Sequence, residues 1–515
     1  MLIVAEDRID EYLGVGYLAA ALRAANVECQ IFQWQLDSHR AEVTGLLESS
    51  AAIPLLGITW LYDSSVGRVA EISAISKRLR PLTPVVVGGH PPSLNPAQCL
   101  LLAPDVNFVL RGEGDHSIRA LVKVLEAPAP DLAAVPGLAY RANDAVHVTA
   151  PPSQIADLDA LQWPARDTLR HVLDRGADPG SVVARMCTSR GCYARCEFCS
   201  MVSFYNLDGA GMKWRFRTPL DVASEMEHVA REYGVSRFWF VDDEFLGPPR
   251  DAGKRAIDIA TAIVASGIQV EWGFDTRANG VVALSDDGLM TLRQAGLRVV
   301  AMGLESGSQA QLKRFNKGMK VESNWAAVRR LREFGIDHRF GFIMYDPETS
   351  FGDLLYNIDF ARYAEPHRIC NTGPFRLLNA EYPEVGTPFA AKLGVQRTSS
   401  EAQQERVKPK LPTSGLGYEF TDPRVGHLRN MLFRFARDVV EPSMIPRPLH
   451  ESDLQADVWW QGTNYLPVNV AAMTAFLDVY EWAVRSYSRA WDDALPAMAE
   501  SLFRERLHDA RQALT

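Results

Sequence analysis

Apolar runs alternate with amphipathic stretches through the first 125 residues of the chain. Short apolar runs predict strands, and apolar residues at helical spacing predict helices. The predicted strands are MLIVAE (1–6), CQIFQWQ (29–35), PLLGITW (54–60), PVVVGG (84–89) and VNFVLRGEG (106–114). The helices between them include LGVGYLAAALRAANV (13–27) and SVGRVAEISAISKRLR (65–80). Continuous apolar strands between such helices are typical of the α/β class, so we expect residues 1–125 to form a doubly wound parallel sheet.

A second alternating region follows a stretch at 126–180 that is rich in proline, alanine and aspartate and predicts a linker with a small hairpin. Residues 181–382 contain six apolar runs: SVVARMC (181–187), SRFWFVDDEF (236–245), QVEWGFDTR (269–277), RVVAMGLES (298–306), HRFGFIMYD (338–346) and ICNTGPFRLLN (369–379). Thr218 followed by Pro219 predicts the start of a helix between two of them. Six strand–helix units indicate a partial (β/α)6, TIM-like barrel.

The strand pattern is lost in residues 383–515, which predict a mostly helical third region. Two segments there are strongly helical, at 468–495 and 498–514. The adjacent residues Trp459 and Trp460 could face an apolar substrate, but ordinary packing is the better interpretation.

Composition excludes several classes of protein. The chain has 515 residues, 47% of them hydrophobic and 23% charged, which is typical of globular proteins rather than disordered ones. Its net charge of −9 and the absence of a lysine- or arginine-rich block do not indicate a nucleic-acid partner. No apolar run approaches the roughly 20 residues that span a bilayer, and the first residues lack the features of a signal peptide. We therefore expect a cytoplasmic protein without a membrane span.

Small and polar residues follow several predicted strands of the first domain. Parallel sheets bind ligands at the carboxyl ends of their strands, and glycine lets a backbone approach a bulky ligand closely. The residues at these ends are Thr59, Gly88, Gly89, His90, Gly112, Glu113 and Gly114.

Three of the seven cysteines, Cys192, Cys196 and Cys199, lie within eight positions. In a reducing compartment such a group indicates a metal site rather than disulfides. Three thiolates on one loop can hold three corners of a cubane iron–sulfur cluster and leave one iron open, whereas a structural zinc ion requires four ligands. Cys187 could be a fourth ligand, but it falls within a predicted strand. The spacing favours a cluster and leaves zinc and coincidence open; Cys29, Cys99, Cys187 and Cys370 are expected to be small buried hydrophobes.

The spacing C-x3-C-x2-C, with Phe198 before the last cysteine and Ser189-Arg190-Gly191 before the first, resembles the signature of radical S-adenosylmethionine (SAM) enzymes. Tyr193 occupies a position that is proline in many relatives. The resemblance implies a [4Fe–4S] cluster whose open iron binds SAM, and cleavage of SAM to a 5′-deoxyadenosyl radical. It also implies an electron donor such as flavodoxin or ferredoxin.

Other segments agree with this family. FWFVDDEF (238–245) is similar to the second barrel strand, and GLESGSQAQLKRFNKG (303–318) is similar to the stretch with the fourth. The resemblance implies that Gly303, Glu305 and Ser306 lie near SAM and that Arg277 grips its carboxylate. Asp242 and Asp243 end a strand, where catalytic groups tend to lie, although a helix cap or a solvated pair would also explain them.

Residues 12–125 resemble the Rossmann-like cobalamin-binding domain that precedes the barrel in one large subgroup. The resemblance implies that Gly14 and the strand-end residues contact the corrinoid. The segment Thr59, Trp60, Leu61 and Tyr62 would then form the floor beneath cobalt, with core packing an equal alternative for Trp60. His90 either lines the cofactor site or caps its loop.

Many cobalamin domains bind cobalt through a histidine in D-x-H-x-x-G, but residues 6–10, after the first strand, contain no histidine. His39 follows Asp37 and Ser38 in a partial match, with Glu42 in place of the glycine, so we expect His39 to be a surface residue. The resemblance as a whole implies a cobalamin-dependent radical SAM enzyme acting on a small-molecule or natural-product substrate. Methylation of an unactivated carbon is the favoured reaction; cyclisation, ring contraction or rearrangement is the alternative. A non-catalytic cobalamin sensor with structural zinc is a third hypothesis, which the barrel motifs disfavour.

Overall fold

The computed structural model describes residues 1–5, 11–34, 37–49, 52–62, 65–143, 145–369, 374–380, 387–394, 418–444, 467–487 and 495–514. The chain divides into two compact units. Unit 1 contains residues 1–192, 199–236 and 384–407, and unit 2 contains residues 193–198, 237–383 and 408–515. The domain boundaries at 125, 180 and 382 stay predictions.

A seven-stranded sheet forms the centre of unit 1. Its strands are β1 (Leu2–Val4), β2 (Ile31–Gln33), β3 (Leu56–Thr59), β4 (Val85–Gly88), β5 (Phe108–Leu110), β6 (Leu138–Ala142) and β7 (Ala145–Val148). The strand order is β2-β1-β3-β4-β5-β6-β7, with β1 to β5 parallel and β6 and β7 antiparallel. The order reverses between β1 and β3, which makes their carboxyl ends the topological switch point where such sheets bind ligands.

Helices cover both faces of this sheet, as the sequence predicts. They are α1 (Leu13–Ala24), α2 (Asp37–Glu48), α3 (Val66–Leu79), α4 (His90–Leu94), α5 (Pro96–Leu102) and α6 (Gly114–Leu125). Apolar residues of α2, α3 and α5 form one hydrophobic core with the sheet, and those of α1 and α6 form a second core on the opposite face. The N-terminal domain is therefore doubly wound.

The hairpin expected between residues 126 and 180 is β6–β7, and it extends the sheet by pairing with β5. The rest of unit 1 contains α7 (Asp167–Asp174), β8 (Val183–Met186), β9 (Ser189–Arg190), α8 (Ser200–Phe204), β10 (Arg215–Phe216), α9 (Pro219–Tyr233) and α16 (Pro388–Lys392). The predicted start of α9 is confirmed, because the Thr218 side chain accepts a hydrogen bond from the backbone N–H of Asp221.

Unit 2 contains four parallel strands in the order β14-β13-β12-β11. They are β11 (Arg237–Phe240), β12 (Glu271–Thr276), β13 (Leu297–Glu305) and β14 (Asp337–Phe342). The helices between and after them are α10 (Lys254–Ser266), α11 (Ala278–Ala283), α12 (Asp286–Gln294), α13 (Gln309–Arg314), α14 (Val321–Glu333) and α15 (Phe351–Tyr363). This alternation is the strand–helix pattern expected of a partial barrel.

The sixth predicted barrel strand, 369–379, is wrong for the residues that the structure describes. Ile369 forms an isolated bridge with Phe340, and Pro374–Leu378 is a 3-10 helix. Pro374 explains the difference, because proline has no N–H to donate to a sheet and its fixed φ suits the first turn of a helix.

Helices dominate the C-terminal region of unit 2, as the sequence predicts: α17 (Pro423–Phe435), α18 (Pro467–Tyr487) and α19 (Leu495–Leu514). Trp459 and Trp460 lie outside the described residues. Within the described ranges, no helix is both long and apolar enough to cross a membrane.

Candidate active site

The cysteine loop begins at a turn that only glycine fits. Strand β9 pairs antiparallel with β10, and Gly191 follows with φ of +83°. A Cβ at Gly191 would lie 2.2 Å from the backbone oxygen of Lys213, so any side chain there would collide with the backbone that leads into β10. The chain is thereby fixed directly before Cys192.

The three thiols of the motif differ in exposure: Cys196 is buried, whereas Cys192 and Cys199 are half-buried. None of the six cysteines in the described residues forms a disulfide bond. Within that same part of the chain, no three His, Cys, Asp or Glu side chains are already arranged around a metal position. The donor type nevertheless fits, because thiolates are the ligands of iron–sulfur clusters. Cys187 directly follows β8 and donates a hydrogen bond to the backbone oxygen of Ser189 at 3.3 Å.

The loop interior, residues 193–198, is held within unit 2 by the end of α13. The N–H of Glu197 donates to the backbone oxygen of Phe315 at 3.0 Å, and Asn316 donates to the backbone oxygen of Arg195 at 2.9 Å. The Phe198 ring packs edge-to-face on Phe315, with centroids 5.6 Å apart. Phe198 thus positions the loop.

Arg277 lies beside the buried cysteine of the motif. Its guanidinium donates to Cys196 Sγ at 3.2 Å and to the backbone oxygen of Lys317, and it stacks over the Tyr193 ring at 5.6 Å. Tyr193, in turn, donates to Asn279 Oδ1 at 3.0 Å. A cation at this position can neutralise a sulfur ligand or a substrate carboxylate, so the geometry fits the predicted cofactor-binding role.

Glu244 is a site residue that the sequence reasoning missed. Of the two preceding aspartates named above, Asp242 is buried and Asp243 is exposed, while Glu244 is fully buried. Its carboxylate accepts hydrogen bonds from Thr276 Oγ1 at 2.6 Å and from the N–H of Arg277 at 3.0 Å. Burial raises the pKa of Glu244 to about 7, against the opposing effects of these donors. The sequence feature that could have identified Glu244 is its position beside the two aspartates at the end of a predicted strand.

The end of β13 carries Gly303 and Glu305, and Ser306 follows directly. Glu305 has φ of +62° and accepts a hydrogen bond from Lys317 Nζ at 2.9 Å. The Ser306 hydroxyl contacts Gln311 Oε1 at 2.6 Å and Asn357 Oδ1 at 2.7 Å. Glu305 is therefore near the cysteine loop, whereas the Ser306 side chain belongs to a buried polar network that holds the turn. Their contacts with SAM stay predictions.

At the switch point of unit 1, Thr59 and Gly89 bring backbone close together. Thr59 Oγ1 accepts from the N–H of Ala5 at 2.9 Å, and the N–H of Trp60 donates to the oxygen of Gly88 at 2.8 Å. Gly89 has φ of +133°, and a Cβ there would lie 2.1 Å from the Trp60 oxygen. A glycine at this close backbone approach fits the broad plate of a corrinoid.

The residues predicted to form the floor beneath cobalt differ in their burial. Trp60 is buried in the hydrophobic core, as its alternative interpretation holds. Leu61 is half-buried and Tyr62 is 62% exposed, so both side chains are at least partly accessible to solvent. The His90 ring packs edge-to-face on Phe204 of α8 at 4.8 Å, and burial lowers its pKa to about 4.

Glu113 is the centre of a buried ionic cluster, and its contact with a cofactor stays a prediction. It accepts from Arg190 at 3.1 Å, from Arg215 at 2.8 Å and from the N–H of Ile155 at 2.7 Å. Gly114 begins α6 beneath Leu18. The remaining predicted glycines differ: Gly112 has φ of +74° and faces Pro152 and Leu207, and Gly14 is exposed with open space around its Cα.

The expectation that His39 is a surface residue is wrong, because its exposure is only 2%. His39 lies one turn before Val43 and two turns before Leu47, on the buried face of α2. It contacts Arg175, and burial and the charge of Arg175 lower its pKa to about 4.

Two family models match the chain: the B12 binding domain at residues 11–122 and the Radical SAM superfamily at residues 186–361. An uncharacterized methyltransferase of Pyrococcus horikoshii is 27% identical over 350 residues, 68% of this chain and 72% of that protein. The anaerobic magnesium-protoporphyrin IX monomethyl ester cyclase of Cereibacter sphaeroides is 30% identical over 345 residues, 65% of this chain and 54% of that protein. This chain thus spans about half of the cyclase.

Among solved structures, the cobalamin-dependent SAM radical enzyme OxsB, with aqua-cobalamin and SAM bound, superimposes with a TM-score of 0.69 at 18% identity. The match covers 100% of this chain and 83% of OxsB, and it shows a common fold. The radical SAM domain implies a [4Fe–4S] cluster and SAM, and the B12 domain implies cobalamin. The chain thus combines, in one polypeptide, a B12 binding domain and a radical SAM domain, the two domains of cobalamin-dependent radical SAM enzymes.

Proposed function

We propose that this enzyme transfers a methyl group to an unactivated carbon of a small-molecule or natural-product substrate. The observation that supports this proposal is that this chain, which has both domains, is 27% identical to an uncharacterized methyltransferase over 68% of this chain's length. When bound, the cluster, SAM and cobalamin supply a 5′-deoxyadenosyl radical and a methyl carrier.

In this proposal, Cys192, Cys196 and Cys199 hold the cluster. Arg277 supports the assignment, because its guanidinium lies 3.2 Å from Cys196 Sγ. Glu305 and Arg277 contact SAM from the carboxyl ends of neighbouring strands, where catalytic groups of such barrels gather. The aromatic residues Phe198 and Phe315 keep water from the cluster side.

The corrinoid faces the strand ends of unit 1. The close backbone approach at Gly89 and Trp60 supports this assignment, and Leu61 and Tyr62 present side chains there. His90 is held against Phe204 and remains neutral at physiological pH because burial lowers its pKa to about 4. We assign His90 to positioning this edge.

The C-terminal helices shape the substrate pocket in this proposal. Tyr480 of α18 forms a hydroxyl–hydroxyl hydrogen bond with Tyr345, which follows β14, and Arg429 of α17 lies 5.7 Å from the Tyr345 ring. These contacts bring the helical region to the carboxyl end of a barrel strand, which supports its role. A one-electron protein such as flavodoxin or ferredoxin would reduce the cluster.

The test supplies the reconstituted enzyme with SAM that carries a trideuteromethyl group and analyses products by mass spectrometry. Methyl transfer predicts a product in which CD3 replaces hydrogen, with S-adenosylhomocysteine and 5′-deoxyadenosine formed in step with it. A turned-over product without label or added carbon would contradict the proposal.

Cyclisation is a second candidate because the Cereibacter relative, at 30% identity, is a cyclase. A cyclising or rearranging enzyme needs only the radical half of the chemistry. It would form 5′-deoxyadenosine with turnover but little S-adenosylhomocysteine. The same experiment therefore separates the two reactions.

A further inference from the structure

Lys317 is a buried lysine in the loop after α13. Its exposure is 4%, and its backbone N–H donates to the oxygen of Leu312 at 3.0 Å. Lysine is almost never fully buried unless its charge is paired. Its position therefore requires a specific electrostatic partner.

That partner is Glu305. Lys317 Nζ lies 2.9 Å from Glu305 Oε1, with side-chain exposures of 5% and 11%. Lys317 Nζ also lies 5.7 Å from the centroid of the Phe198 ring, within the range of a cation–π interaction. The Lys317 backbone oxygen accepts a hydrogen bond from Arg277. One residue thus contacts the cysteine loop, the start of α11 and the end of β13.

The pair occupies a space that exists because residue 303 is glycine. A Cβ at Gly303 would lie 2.6 Å from Glu305 Oε1 and 3.0 Å from Lys317 Nζ. On the facing strand, a Cβ at Gly341 would lie 3.6 Å from Glu305 Oε2, an ordinary contact. An alanine at position 303 would therefore displace the charged ends of the pair, whereas an alanine at position 341 would not.

The backbone of Glu305 is held in an uncommon conformation. Its φ is +62°, and the register between β13 and β14 shifts between Gly303 and Glu305. A non-glycine residue in the left-handed region is strained, and this conformation persists only where the surrounding structure holds it in place. The ion pair with Lys317 is such a constraint, because it fixes where the Glu305 carboxylate points.

We propose that Lys317 is a positioning residue for SAM: it orients the Glu305 carboxylate and joins it to Phe198 of the cysteine loop. The inference rests on the proposed function, in which Glu305 contacts SAM. It adds that the contact depends on a lysine twelve residues further along the chain.

The test measures SAM affinity of anaerobically reconstituted enzyme without reductant, together with iron content and thermal stability. Lys317→Met removes the charge and keeps an unbranched side chain of similar length, and Gly303→Ala displaces the pair sterically. Both variants should retain wild-type iron content and bind SAM about 10- to 100-fold more weakly, the usual effect of losing a residue that orients a ligand group. Lys317→Arg should recover part of the affinity.

The controls are Lys320→Met, at an exposed position three residues away, and Gly341→Ala. Both should bind SAM as wild type does. Wild-type affinity in Lys317→Met would overturn the inference. The inference would also be overturned if Gly303→Ala bound SAM normally while Lys317→Met lost iron and unfolded, because the lysine would then be purely structural. A wild-type enzyme that holds iron but binds no SAM would overturn the proposed function as well.

Discussion

Replacing Arg190 with methionine should destabilise the N-terminal domain through one buried carboxylate. Arg190 Nη1 lies 2.9 Å from Asp115 Oδ2 and Nη2 lies 3.1 Å from Oδ1, with side-chain exposures of 11% and 6%. Glu113 also contacts Arg190 but keeps its bond with Arg215 at 2.8 Å. The charge that loses its described partner is therefore that of Asp115.

Breaking a buried ion pair by removing one partner costs about 3–5 kcal/mol. Asp115 lies in the first turn of α6, where the helix N-terminus stabilises a negative charge by about 0.3–1 kcal/mol. We therefore expect about 3 kcal/mol for Arg190→Met. The exposed pair of Arg231 and Glu227, with side-chain exposures of 68% and 32%, is the control, and Arg231→Met should cost about 0–1 kcal/mol.

The effect should depend on pH. Burial raises the pKa of Asp115, but the charge and hydrogen bonds of Arg190 outweigh burial, so this pKa lies below its usual value. In wild type, the carboxylate thus contributes stability above its unfolded pKa of about 3.9, and this is lost as pH falls through the lower folded pKa. Without Arg190, burial dominates and raises the folded pKa, so the variant loses stability as pH rises from about 4. The deficit should widen between about pH 4 and pH 7.

Native-state hydrogen exchange measures the local opening free energy, in α6 for Arg190→Met and in α9 for Arg231→Met. Urea unfolding at acid and neutral pH gives the pH dependence. Equal losses in Arg190→Met and Arg231→Met, or a deficit that shrinks as pH rises, would refute the reasoning.

Three further outcomes are expected. Glu244→Gln should stabilise the protein relative to wild type, and the gain should grow as pH rises from about 4.5 to 7. Burial raises the folded pKa of Glu244 to about 7, so ionisation of this carboxyl in the folded state opposes folding. A difference in the free energy of urea unfolding that does not change with pH would contradict this. Gly89→Ala should abolish cobalamin binding measured by absorbance, since its Cβ would lie 2.1 Å from a backbone oxygen, whereas Gly45→Ala, with open space, should not. Cys192→Ala should lose the cluster of about four irons, while Cys187→Ala should keep it; iron and sulfide analysis decides whether Cys187 is a ligand.

Much of the fold could be predicted because apolar periodicity is local. The five parallel strands of the first sheet and the strands from β11 to β14 each coincide with an apolar run. The sixth barrel strand failed because its apolar run contains Pro374, which the pattern of hydrophobicity does not penalise. The burial of His39 was readable from the sequence, because His39 shares the helical spacing of the buried Val43 and Leu47. The expectation of a surface residue came instead from its partial match to a cobalt-ligand motif.

Site residues were less predictable where their partners are distant in the chain. Glu113 looked like a ligand at a strand end, yet its partners Arg190 and Arg215 are 77 and 102 residues away. Ser306 lies in a family motif, but Asn357, 51 residues later, engages its hydroxyl. Glu244 was overlooked beside two aspartates because its significance comes from Thr276 and Arg277 on the next strand.

The sequence by itself indicated radical SAM chemistry, because the spacing of Cys192, Cys196 and Cys199 and the strand–helix alternation are local properties. The tertiary structure decided which charged groups are buried and what each one contacts. Arg277 meets Cys196, and Lys317 meets both Glu305 and Phe198, only after strands from separate parts of the chain align their carboxyl ends. Burial and charge pairing depend on distance in space, and that distance is set by the packing of the whole unit rather than by neighbours in the sequence.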